Sequence, residues 1–390
     1  MVARSTRKAS QKAEQHDALR TQLELEAFGD VSSPREGRLS EPEIWWCQHF
    51  GWLKDLGYLL RQRYSPDWNP SWLGTKRNRF ACEDGRAAKF ASRLLDATRL
   101  SDRKYVVLKL VKKSDHPFEL EIGRFFSLHP LADETGNHCV PIYDVLHVPD
   151  DPETAIIVMP LLLDYRHPPF DTIGEAVECF RQLFEGLQFM HKHRVAHRDC
   201  TSRNFMMDPA SFYMDAFHPV NPKMKRDFSG HARFRTRTSG PPKYLLIDFG
   251  LSRRYDPSIA EPKDIPIWGA DKEVPEFQNS NEPCNPFPTD VFYIGNMIRK
   301  DFNEWTYGFD FMQPLIADMV QRDPSKRPTM DEVVKRFGEI RSNLSSWKLR
   351  SRVIDKEENI LDGFLLGTSH LVRRLRFMTR SVPAIPTPTS

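Results

Sequence analysis

The sequence predicts an α+β fold of two lobes, in which a small antiparallel β-sheet lobe with one helix precedes a larger, mainly helical lobe. Short apolar runs bounded by turn residues recur between residues 80 and 160, and such runs are typical of strands. From Ile173 to His193 the apolar residues instead follow the period of a helix and predict a long one. A chain of 390 residues is long enough to give each lobe its own core.

The first 79 residues differ in composition from the rest of the chain. Residues 1–40 are rich in charged and polar side chains and bury too little apolar surface to offset chain entropy, so we expect a disordered tail. Residues 41–79 contain five of the eight tryptophans and are expected to pack on the core as an extension, with a short helix at about 43 to 63. A surface that recognises a partner is the alternative for this segment.

The small lobe is predicted over residues 80–160. Five segments have the composition of strands: Phe80–Cys82, Phe90–Leu95, Arg103–Val111, Cys139–Leu146 and Thr154–Met159. A helix is expected at Phe118–Phe126. Lys109 follows three apolar β-formers, so its side chain is expected to point inward and to need a partner of opposite charge.

The segment His197-Arg198-Asp199-Cys200-Thr201-Ser202-Arg203-Asn204 has the spacing of a phosphoryl-transfer loop. An Asp placed five residues ahead of an Asn suits this chemistry, because the Asp can take a hydroxyl proton while the Asn amide oxygen holds a metal ion. An apolar run leads into Asp248-Phe249-Gly250 downstream, and Val106-Val107-Leu108-Lys109 lies upstream. From about Phe80 to Trp347 the chain resembles the eukaryotic protein kinases. The residues around its motifs are most similar to those of kinase-like proteins of mushroom-forming (basidiomycete) fungi.

The resemblance implies a bilobal protein kinase-like fold that uses ATP and Mg²⁺. It implies that Asp199 is the catalytic base and that Asn204 and Asp248 are the metal ligands. Lys109 would contact the phosphates and be held by a helix glutamate, for which Glu121 fits better than Glu119. Met159 would line the back of the adenine pocket, and Leu162 would donate its N–H to adenine, since Pro160 has none.

The glycine-rich loop of that family has only a degenerate counterpart here. At the expected distance ahead of Lys109 the chain has Gly85-Arg86-Ala87-Ala88-Lys89-Phe90-Ala91-Ser92. Ala88 would replace a glycine and Phe90 would lie at the tip of the loop, although a Cβ restricts the close approach to phosphate that glycine allows. A pseudokinase that binds nucleotide or acts as a scaffold is therefore the alternative to an active enzyme.

The large lobe is predicted over residues 161–348, with a long basic insertion at about 209–243. The insertion is either a solvated hairpin or a docking patch for an acidic partner. The activation segment from Asp248 to Glu276 has the length of a peptide-binding shelf, which favours a protein substrate over a small molecule. By the resemblance, Arg198 would pair with a phosphorylated activation loop, with Tyr255 and Ser258 as acceptors.

Two further resemblances concern structure and substrate type. Asp290 would hold the backbone of the catalytic loop, the segment from His197 to Asn204, and Arg327 would pair with Glu276. Arg203 stands four residues after Asp199, where it would neutralise the transferring phosphate, and many tyrosine kinases have an arginine there. Because this residue alone does not establish tyrosine specificity, we favour serine/threonine phosphorylation.

The composition narrows the class of protein further. The net charge of +3 argues against a dedicated nucleic-acid binder, and the six cysteines form no zinc-like pattern, which favours an intracellular protein of the cytoplasm or nucleus. We expect no secretory signal and no transmembrane segment.

Residues 349–390 are expected to form a tail with a basic amphipathic segment. This segment is expected to dock on the core, on an anionic membrane or in a partner's groove. The final Pro, Thr and Ser residues are expected to be disordered.

Overall fold

The computed structural model describes residues 37–278 and 281–388. The chain forms two compact units. The first contains residues up to Ser92 together with Ala97–Lys104, and the second contains Arg93–Asp96 together with the chain from Tyr105 onward. Most of the predicted disordered tail, residues 1–36, lies outside the described residues.

The first unit begins with two short helices, α1 (Glu41–Gln48) and α2 (Phe50–Asp55). Helix α1 starts where the Glu43 carboxylate accepts hydrogen bonds from the backbone N–H and the hydroxyl of Ser40 (3.0 and 2.9 Å). The single helix predicted over residues 43 to 63 is wrong, because the chain turns at Gly57, whose φ is +91°.

After this turn the chain enters strand β1 (Tyr58–Leu60), which lies inside the range predicted as an extension. Strand β1 pairs antiparallel with Ala97–Arg99 of β2 (Leu94–Arg99). Strand β2 continues into both units, since its first three residues belong to the second. The regular β-structure therefore begins earlier in the chain than the predicted boundary at residue 80.

A buried ion pair lies at the centre of the first unit. Arg63 Nε and a terminal guanidinium nitrogen donate to the two carboxylate oxygens of Glu43 (2.6 and 3.0 Å), and the other terminal nitrogen donates to the Asp84 carbonyl (2.9 Å). Burial acts to raise the pKa of Glu43, but the hydrogen bonds and charge of Arg63 outweigh it and lower the pKa. The stabilisation is therefore present above the ordinary carboxyl pKa and is lost as the pH falls through the lowered one.

The tryptophan side chains of this unit are buried or half-buried. Trp46 is fully buried and its indole N–H donates to the Ala91 carbonyl (2.6 Å), while Trp72 is 8% exposed. The other three tryptophans of the segment, Trp45, Trp52 and Trp68, are half-buried. Packing within the unit therefore accounts for much of this aromatic surface.

The segment between β1 and β2 is irregular, so the strand predicted at Phe80–Cys82 is wrong. Short 3₁₀ turns occupy Arg79–Ala81 and Glu83–Gly85 instead. The Asp84 carboxylate accepts hydrogen bonds from the N–H and hydroxyl of Ser71 (2.8 and 2.6 Å), which hold the chain in this turn conformation.

The sheet of the second unit places Lys109. Strand β3 (Tyr105–Lys112) pairs antiparallel with β5 (Thr154–Pro160), and β5 pairs antiparallel with β4 (Asp144–His147). The predicted strand over Cys139–Leu146 becomes regular only at Asp144, since Pro141 cannot donate to a ladder. Helix α3 (Glu119–Ser127) follows β3, as predicted.

The rest of the second unit is mainly helical and confirms the predicted α+β class. Helix α4 (Ile173–Lys192) begins with a capping box at Thr172, and 15 of its residues are buried. The remaining helices are α5 (Pro275–Gln278), α6 (Pro286–Ile298), α7 (Gln313–Met319), α8 (Met330–Asn343), α9 (Ser346–Leu349) and α10 (Ile360–Thr379), with a π-helical turn at Arg299–Glu304. The short strands are β6 (Leu163–Asp164), β7 (Val195–Ala196), β8 (Phe205–Met207), β9 (Tyr244–Leu246), β10 (Arg253–Arg254), β11 (Thr306–Tyr307) and β12 (Ile354–Asp355). Among the described residues, no helix combines the length and apolarity needed to cross a membrane.

The basic insertion at about 209–243 is an irregular excursion held by its own side chains. Arg237 is 2% exposed and donates to the carbonyls of Tyr165 and Pro169 (2.7 and 3.0 Å). Arg226 pairs with Asp96, and Arg233 pairs with Asp215 (2.8 Å). Three of its seven Lys and Arg side chains are thus engaged within the unit, which a purely solvated hairpin does not explain.

The end of the described chain is ordered, so the disorder predicted there is wrong for residues up to 388. Ala384 and Ile385 pack against the core, and Pro386 is buried. A Cβ on Gly174 would lie 2.0 Å from the Ala384 carbonyl oxygen, so the absence of a side chain there permits this contact. Residues 389–390 lie outside the described residues.

Replacing Arg63 with Met is expected to lower the free energy of unfolding by about 3 to 5 kcal/mol, because the Glu43 carboxylate would stay buried without its counter-charge. Urea denaturation followed by circular dichroism measures this change. The control is Arg233→Met, which removes an exposed ion pair and should cost less than about 1 kcal/mol. Equal effects of the two substitutions would contradict the role given to the buried pair.

Candidate active site

The backbone of the catalytic loop is held by the buried carboxylate of Asp290 in α6. Its oxygens accept the N–H groups of His197 (2.7 Å) and Arg198 (2.6 Å), and His191 Nε2 lies 3.0 Å away. Arg198 has a φ of +68°, a left-handed conformation that a non-glycine residue adopts only when its surroundings hold it there. The predicted role of Asp290 is confirmed, and Asp199 follows directly from this fixed turn.

The carboxylate of Asp199 lies between the catalytic loop and the activation segment. Its Oδ2 accepts the side-chain amide of Asn204 (2.8 Å), and its Oδ1 accepts the N–H of Ala270 (2.8 Å). A Cβ on Gly269 would lie 2.3 Å from Oδ1, so this close approach requires glycine at residue 269. The structure therefore brings Asp199 and Asn204 together, as the spacing predicted.

The ion-pair partner of Lys109 is Glu119, and the prediction of Glu121 is wrong. Lys109 Nζ donates to Glu119 Oε1 and to Asp248 Oδ1 (2.8 Å). Glu119 is 3% exposed, whereas Glu121 lies on the exposed side of α3. Burial alone would lower the pKa of Lys109, but the charges of Glu119 and Asp248 outweigh it and raise the pKa, so the ammonium form is held.

The phase of α3 explains this correction. The buried residues of the helix are Glu119, Ile122, Gly123 and Phe126. They lie three, four and seven positions apart and therefore share one face, whereas Glu121 lies two positions from Glu119, on a different face. The sequence contains a signal for this: Glu119 lies three residues ahead of Ile122 and seven ahead of Phe126, so the helical period of these apolar residues places it on their face.

Asp248 is held in the left-handed region (φ +64°), and its Oδ1 also accepts the Gly250 N–H (3.3 Å). Burial acts to raise its pKa, but Lys109 outweighs that effect and lowers the pKa, which favours the carboxylate. Among the described residues, neither Asp248 Oδ2 nor the Asn204 amide oxygen accepts a hydrogen bond. These two oxygens have the chemistry that Mg²⁺ prefers.

The described residues contain no group of three or more His, Cys, Asp or Glu side chains arranged to hold a metal ion.

The predicted hinge follows β5. Met159 pairs with Val107 and is half-buried, and the N–H of Leu161 donates to the Tyr105 carbonyl (3.3 Å). The N–H of Leu162 has no acceptor among the described residues. Leu162 is therefore the first residue after β5 whose N–H makes no hydrogen bond to the described residues, and its contact with adenine stays a prediction.

Ala88 and Phe90, the predicted counterparts of the glycine-rich loop, belong to the first unit. The Ala88 N–H donates to the Tyr64 hydroxyl (3.2 Å), and Phe90 is 61% exposed. Gly85 is required for packing, because a Cβ there would lie 2.0 Å from the Arg79 carbonyl oxygen. The role of these residues towards phosphate stays a prediction.

Arg203 is exposed on a 3₁₀ turn directly ahead of Asn204. It lines a cavity of about 250 Å³ together with Thr201 and the segment Ala270–Glu273. Lys300 and Asp301 lie on another wall of the same cavity. The catalytic loop thus borders a polar cavity in which charged groups of both signs are present.

Asp264 of the activation segment was not identified from the sequence, although it is the partner of Arg198. Guanidinium nitrogens of Arg198 donate to Asp264 Oδ2 (3.2 Å) and to the Ile265 carbonyl (2.8 Å). The Tyr255 hydroxyl also donates to Asp264 Oδ2 (3.0 Å), and Arg253 Nε lies 3.5 Å from it. An aspartate thus provides the negative charge that the resemblance assigned to a phosphate.

The predicted pairing of Arg327 with Glu276 is confirmed. Two nitrogens of Arg327 donate to the two carboxylate oxygens of Glu276 (2.8 and 2.7 Å). Burial acts to raise the pKa of Glu276, but this bidentate pair outweighs it and lowers the pKa. The pair joins the end of the activation segment to the helical core.

No model of a known protein family matches the chain. The chain is similar to the SNF1-like protein kinase ssp2 of Schizosaccharomyces pombe, with 25% identity over 59% of this chain and 38% of that protein. It is 23% identical to the serine/threonine-protein kinase HAL5 of Candida glabrata over 55% of this chain and 28% of that protein. The serine/threonine-protein kinase CAK1 of Saccharomyces cerevisiae is 26% identical over 39% of this chain and 33% of its own length.

These distant fungal relatives support a protein kinase classification for the chain, in agreement with the α+β fold. The chain spans about a third of the length of the curated relatives that it matches.

Replacing Asp264 with Asn is expected to loosen the activation segment, because the charges of Arg198 and Arg253 would lose their carboxylate. Limited chymotrypsin digestion should cleave after Trp268, which is 39% exposed and lies four residues beyond the substitution, about tenfold faster than in the unchanged protein. The matched control is Asp256→Asn, which removes an exposed carboxylate of the same segment. Equal cleavage rates for both variants and the unchanged protein would contradict an ordering role for Asp264.

Proposed function

We propose that this protein is an ATP-dependent protein kinase that transfers the γ-phosphoryl group to a serine or threonine hydroxyl of a protein. The observation that carries the proposal is the contact of Lys109 with both Glu119 and Asp248 in the unit that also holds Asp199 and Asn204. This is the constellation that phosphoryl transfer requires: a cation for the phosphates, a base for the hydroxyl and oxygen ligands for the metal.

Asp199 acts as the base in this proposal. Each of its carboxylate oxygens accepts one hydrogen bond, and a carboxylate offers about four acceptor positions, so it can still accept the substrate hydroxyl proton. The hydroxyl oxygen forms a bond to the γ-phosphorus as the bond to ADP breaks, and the proton goes to Asp199. Asn204 and Ala270 orient the carboxylate for this transfer.

The other candidate site residues are assigned to binding the nucleotide and the metal ion. Lys109 contacts the phosphates, Leu162 donates to adenine, and Met159 lines the back of the adenine pocket. The Asp248 and Asn204 oxygens hold Mg²⁺, which neutralises charge on the phosphates when bound. Arg203 is exposed beside the loop and neutralises charge on the transferring group.

The choice of serine or threonine over tyrosine is supported by the names of the relatives HAL5 and CAK1, both serine/threonine-protein kinases. We also propose that the protein acts inside the cell and belongs with the kinase-like proteins of mushroom-forming fungi. Lys223 and Arg235 of the insertion are exposed and offer positive charge to an acidic partner.

A pseudokinase is the second candidate, and the alanine-containing segment around Ala88 favours it. That segment has no glycine after Gly85, and Gly85 serves packing. The protein would then bind nucleotide or partners without transferring phosphate.

Replacing Asp199 with Asn is expected to lower phosphate incorporation from labelled ATP by on the order of a thousandfold, because the general base is removed. The rise in melting temperature on adding ATP and Mg²⁺ should be retained, since Asp199 does not bind the nucleotide. An unchanged rate would contradict the assigned base. No phosphate incorporation by the unchanged protein into itself or a peptide array would favour the pseudokinase.

Replacing Glu119 with Gln is expected to lower kcat/KM for ATP by about tenfold to a hundredfold, because Lys109 loses a charged hydrogen bond. Glu121→Gln is the matched control, since it changes the same residue type on the exposed side of the same helix. It should leave kcat/KM within about twofold of the unchanged protein. A larger effect of Glu121→Gln than of Glu119→Gln would restore the partner predicted from the sequence.

A further inference from the structure

Helix α10 is oriented with its charged side towards the protein and its apolar side towards solvent. Nine large apolar side chains of this helix are between 47% and 91% exposed. Leu366 lies on the other side of the helix, and the remaining eight share one side: Ile360, Leu361, Phe364, Leu365, Leu371, Val372, Leu375 and Met378. With Thr368 and Thr379 they form the apolar stripe, which spans roughly 140° of the helix circumference at 100° per residue. The apolar stripe contains no charged residue.

The opposite side of the helix is fixed to the second unit, so the apolar stripe cannot turn inward. Arg373 donates twice to the Asp171 carboxylate (2.9 and 3.0 Å), and His370 Nδ1 lies 3.1 Å from the same carboxylate. The Arg374 guanidinium lies 3.5 Å from the ring centroid of Trp347. After the helix, the chain returns to the core at Ala384.

An exposed apolar surface of this size usually marks an interaction site. The charges beside the apolar stripe indicate which kind of partner fits it. Asp362, Ser369 and Arg376 follow one edge of the stripe at intervals of seven residues, so they lie in one row. The row has a negative charge at one end, a small residue in the middle and a positive charge at the other end.

We propose that the apolar stripe is the interface with a second copy of this chain, whose α10 packs antiparallel to it about a twofold axis near Ser369. In this arrangement Asp362 lies opposite Arg376 of the second copy, and the same pair forms again at the other end. Leu371 and Leu375 meet apolar residues of the second copy. This proposal concerns assembly and does not depend on the proposed kinase activity.

The symmetric arrangement explains two features together, and a parallel one does not. Ser369 near the axis meets itself and is small enough for two helices to approach. Neither Asp362 nor Arg376 forms an ion pair with the described residues, although Asn359 donates to the Asp362 carboxylate at the helix start. A parallel pairing would place Arg376 opposite Arg376, where like charges repel.

The test is the mass of the full chain in solution, measured by light scattering and sedimentation from about 1 to about 200 µM. We expect a species of twice the 45.4 kDa of one chain at the upper concentrations. Leu371→Glu should raise the dimer dissociation constant by at least about a hundredfold, because two carboxylates would meet near the axis. The control is Leu128→Glu, which changes a leucine that is 63% exposed outside α10. A mass of one chain throughout, or equal effects of the two substitutions, would overturn the proposal.

A charge exchange tests the antiparallel register. Asp362→Arg and Arg376→Asp should each raise the dissociation constant by on the order of tenfold, because each places like charges opposite one another. The double variant should restore the affinity of the unchanged chain, and failure to restore it would overturn the antiparallel pairing.

Flotation with vesicles of phosphatidylcholine and phosphatidylserine completes the test. Flotation that Leu371→Glu abolishes, in a protein that has the mass of one chain throughout, would assign the apolar stripe to a lipid surface and overturn the proposal.

Discussion

The candidate active site depends on one buried carboxylate, that of Asp290. A buried carboxylate needs hydrogen-bond donors, and two backbone N–H groups of the catalytic loop need an acceptor, so each satisfies the other. This mutual requirement holds Arg198 in a left-handed conformation and fixes the position of the next residue, Asp199. The loop therefore has a defined geometry although it contains only one short 3₁₀ turn of its own.

Cation–carboxylate pairs extend this order to the surrounding segments. Lys109 joins the sheet to α3 and to Asp248, Arg198 joins the catalytic loop to Asp264, and Arg327 joins α6 and its surroundings to Glu276. At the Arg198 contact the partner is an aspartate of the chain, which needs no added phosphate group. The activation segment is thus ordered by groups that the chain itself supplies.

Helix α10 and the basic insertion lie outside the recognised motifs, and both are attached to the rest of the unit through arginine side chains. Arg237 of the insertion is buried against backbone carbonyls, and Arg373 of α10 is held by Asp171. Positive charges that the sequence would place on a surface are used in both segments for internal attachment. The apolar side of α10 is exposed as a result, and that exposure makes the helix a candidate interface.

The sequence by itself determined the α+β class, the order of the motifs and the proximity of Asp199 to Asn204, because these follow from residue type and spacing along the chain. Its resemblance to the protein kinases implied the pair Glu276–Arg327. Only the tertiary structure decided which glutamate pairs with Lys109, since that depends on which face of α3 is buried. It also brought Asp264 to Arg198 across 66 residues of chain. The orientation of α10 was likewise decided by tertiary contacts, because an amphipathic pattern defines two faces but does not specify which one meets the protein.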